Sequence, residues 1–373
     1  MNKKHIFLLI KILVIVVVIA VFGHVLYKAW LDYQKMEVKP TIDWPTLCAS
    51  AGVYFIALLF PGAFWHLLLK RFNEGSSASP ENSVSQLGLQ EGTERPTGAD
   101  FGNRAAARTG SGASPPGLWE SICAHVCGQI GKYVPGKFMV VVIRTALIKS
   151  SRTSAAVAAA AAFLETLTMM AVGAFVACLF LTYYSIQTQN WTYLAASITM
   201  VVCAGAPTIP AVFVWIVRKI GKNKVASELL NIDKLSFGTL ARGWILELCC
   251  WAGFAFSYWL TLKAVGVENL NLAADFPQAV GVTAFAVSSG FLVLFTPGGL
   301  GVRDLAFIGL MTPWMEAKMP GSGLAMATIA SVVVRLVWLT TEFLAACVLI
   351  TLRRAGVRKP PEDWAQSAQQ KND

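Results

Sequence analysis

Residues 155–184 read AAVAAAAAFLETLTMMAVGAFVACLFLTYY, thirty positions with a single charged side chain, Glu165. As a helix this stretch rises about 45 Å, more than the ~30 Å hydrocarbon core of a bilayer requires. Comparable runs cover 47–69, 191–217, 244–262 and 324–352. Hydrophobic residues fill 55% of the 373 positions and charged ones only 14%, a balance that excludes an ordinary soluble domain. No run alternates in the manner of a barrel strand, so backbone polar groups must be satisfied inside helices. The expected fold is all-α, a polytopic integral membrane protein.

The net charge of +10 sits in short clusters at the ends of apolar runs rather than along one soluble face, which argues against a nucleic-acid partner. Lys3 and Lys4, Lys70 and Arg71, Lys149 and Arg152, the loop 218–234 and the tail 353–359 carry the cation excess and are assigned to the cytoplasm. Segments 28–43, 185–190, 263–275 and 315–323 balance their charges and face outward. The start, MNKKHIFLLIKILVIVVVIAVFG, has too long an apolar stretch and too poor a cleavage site for a removed signal, and reads as an uncleaved signal anchor. The resulting order is signal anchor and external loop (1–46), span two (47–72), a cytoplasmic loop (73–117), the main membrane body (118–352) and a cytoplasmic tail (353–373). The loop is rich in Ser, Gly, Ala, Pro and charge, and is expected to be disordered. Both termini are placed in the cytoplasm, and the protein in an inner membrane.

Two apolar stretches are interrupted. Residues 119–148 contain GQIGKYVPGKFMVVVIR, with Pro135-Gly136 at the break, and 276–314 contain FTPGGLGVRD, with Pro297-Gly298-Gly299. The charge bias puts both ends of the first stretch inside and both ends of the second outside, so neither is one simple span. Each is read as a re-entrant hairpin: a short helix in, a Pro-Gly turn within the bilayer, a short helix out. A mere proline kink is the competing reading, but straightening the first stretch would carry Lys149 and Arg152 outside and reverse every later loop. About six full spans and two hairpins then form an inverted repeat, the architecture of many secondary transporters. Irregular backbone at that depth needs protein or a water-filled cavity around it.

By helix rise Glu165 lies about 15 Å into its span and Arg335 about 16 Å into the last one, both near mid-bilayer. A lipid-facing charge there costs roughly 2.5–3.5 kcal/mol on an insertion scale. Opposite signs at matching places point to an ion pair between Glu165 and Arg335, with Glu342, on the same face as Arg335, as a second partner for it. These three are either structural glue or the lining of a path for a charged group. Lys132 and Lys137 flank the first turn, Arg144 stands on its returning arm and Arg303 follows the second turn. A guanidinium fork beside the free N–H groups after Gly298-Gly299 suits phosphate or carboxylate. Arg144 has an alternative role, snorkelling to the interface. The expected binding set is Lys132, Lys137, Arg144, Gly298, Gly299 and Arg303, and the expected partner is a membrane lipid with an anionic head group.

Four histidines and eight cysteines show no metal or redox spacing, and no nucleophile elbow or phosphate loop is present. No catalytic residue, metal or cofactor is expected.

Taken in order, GQIGKYVPGKFMVVVIR, AAFLETLTMMAVGA, PGGLGVRD and VVVRLVWLTTEF resemble the lysylphosphatidylglycerol synthase transmembrane-region family, also called the flippase-like domain, over roughly residues 53–352. The resemblance implies a membrane domain associated with moving lipid between leaflets. Longer members join it to a soluble transferase that aminoacylates phosphatidylglycerol, and that domain is expected to be absent here. The implied function is translocation of a phospholipid or polyprenyl-phosphate-linked head group, without enzyme activity. A non-transporting accessory subunit of a glycosyltransferase or lipid-modifying enzyme is the other reading, and a membrane-embedded transferase a third. The 73–117 loop is longer than the family pattern.

The topology is testable by single-cysteine labelling on a cysteine-free background. Cysteines at Gln187 and Ser322 should react with an impermeant reagent from outside, and those at Ser150 and Lys222 only after permeabilisation. External labelling at Ser150 would reject the first hairpin.

Overall fold

The computed structural model of the chain describes residues 3–36, 39–73, 116–134, 139–148, 153–189, 191–220, 235–292 and 299–357. Its elements are α1 (Lys3–Lys35), α2 (Trp44–Ala57), α3 (Leu59–Asn73), α4 (Leu118–Gly128), a 3-10 helix (Gln129–Tyr133), α5 (Met139–Ile148), α6 (Ala155–Thr188), α7 (Thr192–Gly205), a 3-10 turn (Ala206–Thr208), α8 (Pro210–Ile220), α9 (Phe237–Ala264), α10 (Leu272–Leu292), α11 (Val302–Lys318) and α12 (Gly323–Val357). No strand occurs among the described residues. The segments 74–115, 135–138, 149–152 and 293–298 lie outside the described residues, and with them nearly all of the expected disordered loop, the first Pro-Gly turn and Pro297-Gly298 of the second.

Among the described residues, five helical stretches are long and apolar enough to cross a membrane: Val16–Lys35, Trp44–Asn73, Ala155–Gln187, Phe237–Ala264 and Gly323–Leu352. The pair Leu194–Thr208 and Pro210–Val217, bent by 69°, makes a sixth if counted as one span. Local chemistry sets the ends and bends. Ser154 Oγ accepts the Val157 N–H at 3.2 Å and Ser236 Oγ the Thr239 N–H at 3.3 Å, capping α6 and α9. Pro61 has no N–H for the Ala57 carbonyl four residues back, which separates α2 from α3, and Pro207 and Pro210 interrupt the ladder between α7 and α8.

The two interrupted stretches fold back on themselves. α4 and α5, at eleven and ten residues, rise only about 16 and 15 Å, half of a bilayer core. The returning arm lies hard against the first: a Cβ on Gly131 would sit 2.6 Å from the Val140 nitrogen, and one on Gly128 would overlap the Arg144 side chain. α10 and α11 meet at both ends. Gly290 lies against Gly299 and Arg303, while Lys318 at the end of α11 donates to Asp275 in the first turn of α10 at 3.0 Å. One expectation needs correction, because α10 is not short. It begins at Leu272, where the Asn271 side chain accepts from the Ala273 and Ala274 N–H groups, and its 21 residues rise about 31 Å.

Helix contacts organise the body. α2 and α3 run against α9; α6 lies against α10 and α12 against α4; α1 rests along α12. The first hairpin also packs on α3 and α6, the second on α9 and α12. Without a hydrophobic gradient between lipid and protein, tight association relies on small residues that admit close approach. Gly281 of α10 receives the Phe180 ring of α6, and Gly173 of α6 receives Trp251 of α9, with Ser288 Oγ at 2.6 Å from where a Cβ would stand. Gly281→Ala and Gly173→Ala should each cost about 1–3 kcal/mol by overpacking. Thermal unfolding in detergent would show it; an unchanged melting temperature in both would mean these helices are not in close contact.

Candidate functional site

Where the second hairpin returns, Gly299 and Gly301 take positive φ, 70° and 83°, a region open to glycine at little cost. The second of them precedes α11, and its N–H donates to Asp304 Oδ2 at 3.0 Å, fixing the first turn. That geometry aims Arg303, the second residue of α11, into the protein rather than out to solvent. Its side chain is 8% exposed, with the guanidinium carbon 4.5 Å from the Trp338 ring centroid and 5.6 Å from that of Phe307. Tyr54 stacks on Trp338 at 4.6 Å, and Phe254 closes on both. Arg303 Nε and Nη2 are buried with no hydrogen-bond partner, and no carboxylate pairs with Arg303 among the described residues.

Three ion pairs account for most of the other deep charges. Arg335 bonds Asp304, Arg144 bonds Glu165, and Lys132 bonds Glu342. Glu342 also accepts from the Tyr54 hydroxyl and, at 3.0 Å, from the Tyr133 hydroxyl. The expected pairing of Arg335 with Glu165 or Glu342 is therefore replaced. Each of those residues instead takes a partner from a hairpin. Depth along a helix can be counted from sequence, but the direction in which a side chain points cannot, and the hairpin arms lie nearer than the opposite span. Arg144 is 2% exposed and held by Glu165, so it does not snorkel to an interface. Its Nη2 also stands 3.5 Å from His125 Nε2; arginine only donates, so that ring nitrogen accepts.

Of the expected binding residues, Arg303 and Gly299 come together with Lys132 near Glu342, Arg335 and Tyr133. Arg144 lies apart in its own cluster, and Lys137 and Gly298 lie outside the described residues. Sequence reasoning passed over Asp304, which was within the quoted PGGLGVRD, and the aromatic and phenolic partners Tyr54, Tyr133 and Trp338. It also passed over Glu247, which is 0% exposed in the middle of α9. Read from the sequence, its span begins at Trp244, which puts Glu247 only about 5 Å inside; the structure starts α9 at Phe237 and so moves it to about 15 Å. No group of three His, Cys, Asp or Glu side chains that could hold a metal ion exists among the described residues.

Removing one partner of a buried pair leaves the other uncompensated, at a cost of about 3–5 kcal/mol. Arg144→Ala should therefore lower melting temperature and folded yield sharply. Adding Glu165→Ala should recover much of the loss, whereas adding Glu342→Ala should not. Recovery by Glu342→Ala alone would mean that the pairing described above is wrong.

The chain matches the family described as lysylphosphatidylglycerol synthase TM region over residues 115–352. No curated protein and no solved structure matches it. The match starts at residue 115, at the end of the 73–117 segment and later than the resemblance from about residue 53 had implied, and it takes in α4 to α11, most of α12, both hairpins and the three ion pairs given above. More than half of the chain lies inside it, and the protein is a polytopic all-α membrane protein belonging to the lysylphosphatidylglycerol synthase transmembrane-region family.

Proposed function

We propose that the protein is an inner-membrane translocase or carrier that moves a lipid with an anionic head group between leaflets and performs no chemistry on it. The observation that carries this proposal is the unpaired guanidinium of Arg303. A buried cation with idle N–H donors is unfavourable unless something supplies negative charge and acceptors. The two other cations of this cluster, Lys132 and Arg335, are already met by Glu342 and Asp304. A phosphate or phosphodiester would fit the planar fork, with the acyl or polyprenyl tails left in the bilayer.

The contact pattern supports a repeat. Exchanging α2–α3 with α9, α4 with α10, α5 with α11 and α6 with α12 returns the same set of neighbours. Under that exchange Arg144–Glu165 becomes Asp304–Arg335, the same link with its signs reversed. Two hairpins entering from opposite sides, with both termini cytoplasmic by the charge bias, would allow one half to rock against the other around the head group.

The test is reconstitution of the purified chain alone in vesicles with a fluorescent phospholipid. Wild type should move lipid between leaflets, and Arg303→Ala should lose most of that movement. Arg303→Lys should lose about tenfold although charge is retained, because a point charge cannot replace a bidentate fork. Gly299→Val should do similar damage: its Cβ would meet Gly290 Cα at 3.0 Å in a backbone conformation with φ of 70°. Melting temperatures for the two arginine variants should stay near wild type. Normal movement in Arg303→Ala would remove the phosphate site from this turn, and no movement by the wild-type chain would favour the accessory-subunit role.

A further inference from the structure

Glu247 is fully buried at the eleventh position of α9, and neither of its carboxylate oxygens has a hydrogen-bond partner. Among the described residues, the charged groups whose field reaches it are Glu165 of α6 and Arg144 of α5. Cys250 lies nearly one turn further along α9, within reach of both carboxylates, and His125 stands behind Arg144. α2, α3, α10 and α12, the other helices against α9, bring no charged group among the described residues into its reach.

One guanidinium thus lies within the field of two carboxyl groups and is already bonded to one of them. With both carboxyls ionised, the cluster would hold an unmatched negative charge among apolar helices, which is strongly disfavoured. A cation is required. Hard metal ions take about six oxygen ligands, and no metal-holding group exists among the described residues. A proton needs one oxygen. Glu165 directs Oε2 to Arg144 and Thr166 and leaves Oε1 buried without a partner, an acceptor open to a protonated neighbour.

We infer that Glu247 is a proton-binding site, operating with Glu165 and Arg144, and that loading and release of this proton drive the lipid-moving cycle. The driving role rests on the translocase proposal; the proton site does not. Loading is the addition of H⁺ to a Glu247 carboxylate oxygen, with no other bond made or broken, and it takes the cluster from one net negative charge to none. In the loaded state Arg144 belongs to Glu165 alone, and α5 is held to α6. On release a second carboxylate competes for Arg144 and weakens that hold. The two halves are then complementary, with an unmatched guanidinium at Arg303 for an anion and an unmatched carboxyl at Glu247 for a proton.

Infrared titration of the purified full-length protein in nanodiscs, from about pH 4 to pH 9, reads protonated carboxyl groups directly. A buried carboxylic-acid carbonyl band should be present at low pH and lost on raising it. The band should shift in Glu247→Asp, vanish in Glu247→Gln and persist in Glu342→Gln. The Gln variant mimics the loaded state and is expected to fold; the Asp variant retains a titratable group should it not. Absence of a titrating band, or its survival in Glu247→Gln, overturns the proton site. In vesicles, a gradient should bias movement of fluorescent phosphatidylglycerol by roughly tenfold per pH unit for one proton, and Glu247→Gln should abolish the bias. Movement that ignores the gradient while the band titrates overturns the driving role alone. A titrating band with no lipid movement under any gradient overturns the translocase proposal and leaves the proton site standing.

Discussion

From the returning arm of the first hairpin, Arg144 reaches the Glu165 carboxylate, and from the returning arm of the second, Asp304 reaches Arg335. A charge among apolar helices is several kcal/mol away from stability unless an opposite charge meets it at close range. Each arm is therefore tied to the long helix that follows it by the need to neutralise a charge. α5 has only ten residues, and outside this tie it contributes little more than aliphatic contact in a setting where lipid offers the same. The position of both hairpins follows from these two pairs.

Glu342 joins elements that are far apart in the chain. It lies on α12 yet takes Lys132 and Tyr133 from the first hairpin and Tyr54 from α2, and beside it the Tyr54–Trp338–Phe254 aromatic cluster packs against Arg303. In the proposed cycle, movement of one half against the other would break or carry these contacts. A head group drawn to Arg303 would arrive beside the residues that join the halves, which is where binding energy can alter their arrangement.

Much of this was legible in the chain itself. Five of the six spans follow from uninterrupted apolar length, the bend near Pro207 and Pro210 from missing N–H donors, and the two fold-backs from Pro-Gly pairs combined with the charge bias of the loops. Arg303 was singled out because it follows two glycines at a helix start, and the structure buries it there. The start of α10 at Leu272 was not foreseen, since the Asn271 cap and Asp275 that extend the helix resemble an outer loop in composition. Glu247 was passed over within the WILELCC segment, because the span as read from the sequence begins at Trp244 and leaves it near the end.

Sequence alone determined that the chain is a bundle of membrane helices with two interrupted stretches, because hydrocarbon forbids unsatisfied backbone and apolar length is a one-dimensional property. It also placed Glu165 and Arg335 deep, since helix rise converts position into depth. Only the tertiary structure decided which charges meet. Pairing depends on the azimuth of each side chain and on which helices are neighbours, and neither is encoded in distance along the chain. Thus Glu165 found Arg144 rather than Arg335, and among the described residues Arg303 and Glu247, indistinguishable in sequence from their paired counterparts, were left buried without an ion-pair partner of their own.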